Sequence, residues 1–209
     1  MDLTDIARLF TRPDGSYAFA RWARPIAPIV FGVEDQTLPT IKGAVEAIVM
    51  LANHKMTDHD PELGANLLMF FIRDWDELTD IPDLDRLVPD LVSLVARLKN
   101  ADAHQYRLFS FDGDDAIKAA FVFLRMDEAL RNTPAEDLAL AQAAQIILLW
   151  SDQAFADRGP LGLVGDTVIL APDIASVIHA AYDPVLPPVS TDPSHAIRLA
   201  ARVAQSPKT

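Results

Sequence analysis

Apolar positions along the chain keep two spacings, near 3.6 and near 2, which separate helices from strands. Between Leu38 and Ala52, residues Leu38, Ile41, Val45, Ile48, Val49 and Ala52 share one helical face. Leu84 to Leu98 repeats the pattern, aligns Leu87, Leu91, Leu94, Val95 and Leu98, and predicts one helix. Residues 2–11 form a shorter amphipathic helix. Asp173–Tyr182 and Ser194–Ala204 also read as helices, the first ending before Asp183-Pro184 and the second following Thr191-Asp192-Pro193. Ile26–Val33, β-branched and bounded by Pro25 and Glu34, reads as a strand. Ala65–Ile72 is a continuous apolar run of strand length and suits a central strand covered on both faces. Arg73–Glu77 then reads as a strand-to-helix turn. Gln105–Phe111 and Ala116–Leu124 flank Asp112-Gly113-Asp114-Asp115 and predict a hairpin. That turn has the acidic start of a calcium loop but lacks the glutamate that would close one.

The most apolar helix of the chain follows the hairpin. Thr133-Pro134-Ala135-Glu136 predicts a capping-box start, with the threonine capping, the proline first in the helix and Glu136 reaching back. The helix is expected to run to about Trp150 and is apolar almost all round, which marks it as buried. This order of elements implies an α+β fold, with a mixed or antiparallel sheet of about four to five strands packed against helices. A single domain over residues 1–209 is expected, because no repeat or low-complexity linker interrupts the chain.

Composition narrows the function classes. Half of the 209 residues are apolar and 23% are charged, the balance of a globular chain with a sizeable core. A net charge of −12 repels phosphate backbones and anionic lipid, so nucleic-acid and peripheral membrane binding are disfavoured. The absence of cysteine removes disulfides, thiol nucleophiles, zinc ribbons and iron–sulfur clusters. The N-terminus lacks the basic start and apolar run of a signal peptide, and the stretch from Leu138 to Trp150 is too short and too polar to span a bilayer. A cytoplasmic location is expected, unless an export signal precedes this chain. No phosphate-cradling glycine loop and no G-x-S-x-G elbow occur.

The buried helix carries two primary amides, Gln142 and Gln145, three apart and so on one face. Each needs partners, because an unpaired buried amide costs about 1–3 kcal/mol. They are either core glutamines satisfied by neighbours or the floor of a site. The second reading draws on a resemblance. Ala116–Arg125 resembles the cleft-bordering strand of zincin-type zinc peptidases, and Ala141-Gln142-Ala143-Ala144-Gln145 stands where their H-E-x-x-H helix motif stands. Leu170–Asp183 resembles the closing helix of matrixin-like metallopeptidases. The layout, with Ala181-Tyr182-Asp183-Pro184 after that helix, is similar to a poorly characterised bacterial family of zincin-like proteins whose metal motif has decayed.

The resemblance covers roughly residues 25–190, which it marks as the domain core, and implies a zincin-like fold and a vestigial cleft around Ala141, Gln142, Gln145, Asp152 and Tyr182. Carried across by position, the first metal-binding histidine becomes Ala141, the general base Gln142 and the second histidine Gln145. Alanine has no donor atom, a neutral amide is a poor zinc ligand, and glutamine takes up no proton as a base must. Asp152 stands near the place of a third ligand, and one carboxylate does not make a zinc site. No cofactor and no catalytic residue are therefore expected. The leading expectation is a non-catalytic metallopeptidase-like domain that binds a peptide or protein ligand. The alternatives are a hydrolase with a non-standard centre using Asp152, Glu136 or a histidine, and an unrelated α+β interaction module. Among the histidines, His54 and His59 cluster with Asp58, Asp60 and Glu62 and are the weak metal candidates, although the segment reads as a solvated loop. His104, His179 and His195 each read as structural.

Overall fold

The computed structural model describes residues 1–205; residues 206–209, the end of the domain expected over 1–209, lie outside them. Helix α1 (Leu3–Arg8) is closed by a reciprocal Asp2–Asp5 capping box and leads to the short strand β1 (Phe19–Ala20). Strand β2 (Pro28–Phe31), helix α2 (Leu38–Leu51) and strand β3 (Leu67–Ile72) follow. Strands β4 (Gln105–Phe111) and β5 (Ile117–Arg125) form the expected hairpin. They complete a four-stranded sheet in the order β2-β3-β5-β4. Neighbours are parallel except β4, which runs antiparallel to β5 at the edge. The fold is thus α+β with a mixed sheet.

Period-two alternation sorts the central strands into two cores. Leu67 and Met69 of β3 and Ala120, Val122 and Leu124 of β5 join one cluster with α2 and most of the other helices. Phe70, Ile72, Ala119, Phe121 and Phe123 point the other way, into a cluster with Trp75, Leu78, Leu94 and Val95. Both faces of β3 are therefore covered, as its unbroken apolar run predicts. At the end of β2, Gly32 has φ of +82°, and a Cβ there would lie 2.0 Å from the Phe71 carbonyl oxygen, so only glycine fits.

Three local expectations are corrected. The segment Leu84–Leu98 is two helices, α3 (Leu84–Leu87) and α4 (Leu91–Asn100). Pro89 explains the break: it has no N–H to donate and holds Val88 in an extended conformation (φ −117°, ψ 101°). Leu87, aligned on paper, is left 52% exposed. The helix after the hairpin, α6 (Ala135–Ile146), follows the short α5 (Glu128–Arg131) and has no capping box. Thr133 instead donates its hydroxyl to the Ala129 carbonyl at 3.1 Å, closing α5, and Pro134 becomes the cap residue without a side-chain bond. Finally, α6 stops at Ile146 rather than Trp150.

That last difference has a physical cause. The end of α6 is held by three side chains, two from distant parts of the chain and one from the segment that follows the helix. Trp22 Nε1 donates to the Ile146 carbonyl at 2.8 Å, Tyr182 Oη to Ile147 at 2.9 Å, and Trp150 Nε1 to Ala144 at 2.9 Å. These donors satisfy carbonyls that a helix end leaves free. The chain beyond turns aside, and Leu149 N donates to the Ala20 carbonyl at 2.9 Å. The hairpin of β6 (Leu161–Val164) and β7 (Thr167–Leu170), in a stretch that carried no expectation, precedes α7 (Pro172–Ala181). Strand β8 (Val189–Ser190) pairs with β1, and α8 (Ser194–Gln205) ends the described chain.

Candidate functional site

Among the described residues, no strand pairs with the outer side of β4. Arg125 N donates to the His104 carbonyl at 2.9 Å, which sets the hydrogen-bonding phase of the hairpin. In an antiparallel pair such positions alternate, so the N–H and C=O groups of Gln105, Arg107 and Phe109 face away from β5. A groove of about 450 Å³ lies beside this free edge. One wall is β4; the other is the end of α6 with the segment after it, including Gln145, Leu149, Trp150 and Asp152. Trp150 is fixed in that wall by stacking on Phe10 (5.4 Å between centroids) and by the edge of Phe155 (5.1 Å). Ser151 is buried, donating its hydroxyl to the Arg8 carbonyl at 3.0 Å.

Beneath the groove lies a cation that the sequence reading did not single out. Arg107 points to the α6 side of the sheet, where its Nη2 donates to Gln142 Oε1 (2.7 Å) and Gln105 Oε1 (2.9 Å). Gln142 Nε2 in turn donates to Gln105 Oε1 at 3.0 Å. The Nε of Arg107 is buried without a partner, and no carboxylate pairs with the guanidinium among the described residues. Burial pushes its pKa down to about 10, so it remains a cation at neutral pH. The signal in the sequence is Gln105-Tyr106-Arg107-Leu108-Phe109. Alternation places Arg107 on the same face as Phe109, the face that an apolar helix must cover.

The expected cleft residues are brought together only in part. Gln142 is 2% exposed and belongs to the floor, completing the Arg107 network. Gln145 is half-buried, borders the groove and bonds back to the Ala141 carbonyl through Nε2 at 3.2 Å. Asp152 is exposed at the rim. Tyr182 does not border this groove; its buried hydroxyl accepts from Trp22 N (3.3 Å) while donating to Ile147, a pin for the end of α6.

The histidines lie elsewhere. His54 Nε2 meets the Arg24 carbonyl at 2.8 Å, and burial lowers its pKa. His59 is exposed. Asp60 is turned inward, bonding to the buried Asn66 at 3.1 Å and to the backbone N–H groups of Glu62 and Leu63. No group of three or more His, Asp or Glu side chains that could hold a metal ion occurs among the described residues. His104 pairs with Asp127 on the surface, and His195 is fully buried with Nδ1 2.8 Å from the Tyr17 hydroxyl. No described helix is long and apolar enough to cross a membrane.

No protein-family model, no curated protein and no solved structure matches the chain.

Proposed function

We propose that this is a non-catalytic, zincin-like domain that binds an extended peptide in the groove between β4 and α6. The observation that carries the reading is the pairing of an open groove with a free strand edge. Gln105, Arg107 and Phe109 offer unpaired backbone donors and acceptors along one wall, the means by which an added strand is held. The zincin-like part of the reading draws support from the mixed sheet with an edge strand beside the buried helix. At the motif positions, Ala141 has no donor atom and Gln142 spends its amide on Arg107 and Gln105. Neither supplies the base or the ligands that a zinc hydrolase uses.

The competing reading, a hydrolase with a relocated centre, has less to work with. Among the described residues no histidine lines the groove and Asp152 is its only carboxylate, while Glu136 is exposed in the first turn of α6. Metal analysis of protein purified without chelator, paired with amide NMR during titration of a blocked, extended hexapeptide, tests the proposal. The expected result is substoichiometric zinc and saturable shifts at Gln105, Arg107 and Phe109. Stoichiometric zinc lost on replacing Gln142 or Gln145 would overturn it, as would peptide cleavage that depends on Asp152.

A further inference from the structure

Arg107 is the unexplained group of this groove. Arg107 is half-buried with its Nε fully buried, and a guanidinium drawn out of water is costly unless an anion and a full set of acceptors meet it. Here two neutral amide oxygens share one nitrogen, Nε has no partner, and no carboxylate of the described residues pairs with the guanidinium. The amides orient the fork but leave its charge uncompensated. The groove beside it carries two charged side chains, Arg107 in the floor and Asp152 at the rim, among Phe109, Leu149, Trp150 and Phe155. A singly charged group on an otherwise apolar segment complements that lining; a dianion such as phosphate would face one cation and a nearby carboxylate.

Resting on the peptide-binding reading above, we propose that the groove selects a peptide with an acidic side chain directly opposite Arg107. The register follows from the pleat. A strand added along β4 would bond to Gln105, Arg107 and Phe109, and directly opposed residues project their side chains to the same face. The residue opposite Arg107 therefore points toward α6, where the guanidinium lies. The residue two places along, opposite Phe109, faces the aromatic part of the wall. The preferred pattern is acidic, any residue, apolar, in one direction or the other along the strand. Arg107 is the middle of the three free positions, so a bound chain passes it on both sides. That favours a glutamate or aspartate side chain over a terminal carboxylate as the source of the charge.

Four probes test this on the intact chain: a blocked hexapeptide with a central glutamate, its glutamine twin, that twin with a free carboxy terminus, and inorganic phosphate. Affinity is read by titration, and the site by the Nε–H resonance of Arg107. The glutamate peptide is expected to bind about tenfold more tightly than its twin, the scale of one charge-assisted hydrogen bond, and to move the Arg107 resonance. Arg107→Gln should erase the difference; the comparison within the wild type stands even if that variant folds poorly. Equal affinity of the two blocked peptides overturns the acidic preference and leaves peptide binding intact. Tighter binding of the free carboxy terminus, or of phosphate, overturns the side-chain source. Failure of every peptide to shift the β4 amides removes the groove reading itself.

Discussion

At the scale of single residues, Gln142 decides more than its neighbours. On the proposed zincin-like reading it stands at the place of the base, and it commits both ends of its amide to Arg107 and Gln105. Gln142→Met keeps the volume and removes an acceptor from a buried cation, so it should cost about 1–3 kcal/mol. Gln142→Glu should be milder, because the new carboxylate meets the guanidinium directly; it should also abolish the preference for acidic peptides. Chemical denaturation of the three proteins gives the order, and a Gln142→Met midpoint equal to that of the wild type would refute the network. The sequence placed both glutamines on one helical face and demanded partners for them. It did not reveal Arg107, because the partner lies 35 positions away on a strand. Only knowing which face of β4 the helix covers would have paired them.

The elements were mostly legible where one period dominates. Helix α2 and the hairpin fall where spacing put them, and β3 is covered on both faces as its continuous apolar run requires. The misreadings come from competing backbone chemistry: Pro89 splits one helix, and Thr133 serves the helix before it rather than the one after. The early stop of α6 was not legible, since two of its caps arrive from Trp22 and Tyr182, far along the chain, and join the nearby Trp150. These donors give a prediction at this scale. Tyr182→Phe and Trp22→Phe keep most of the buried ring area and remove the bonds to Ile147 and Ile146. Each should cost about 1–2 kcal/mol, with faster amide exchange in the last turn of α6. A stability loss without that local change in exchange would mean that packing, not capping, was removed.

At the scale of the whole molecule, the buried His195 links folding to acidity. Burial, aided by Arg198 and Arg21, lowers its pKa from the ordinary 6.5 to about 4. The unfolded chain therefore takes up a proton first, and stability falls as pH drops from about 6.5 toward 4, by up to about 1.4 kcal/mol per pH unit. His195→Gln should flatten melting temperature over that window; an unchanged profile would place the acid sensitivity in another group. The caps of α6 have a wider consequence of the same kind. Residues 22, 150 and 182 must all be seated before the far wall of the groove exists. The contacts from residues 22 and 182 are far along the chain, and closing them comes late and is entropically costly. A ligand that fits this groove therefore recognises only molecules whose folding is finished. Its binding free energy is added to the stability of the entire chain, and a partner docking here would act as an inspector of completed protein as much as a consumer of a binding site.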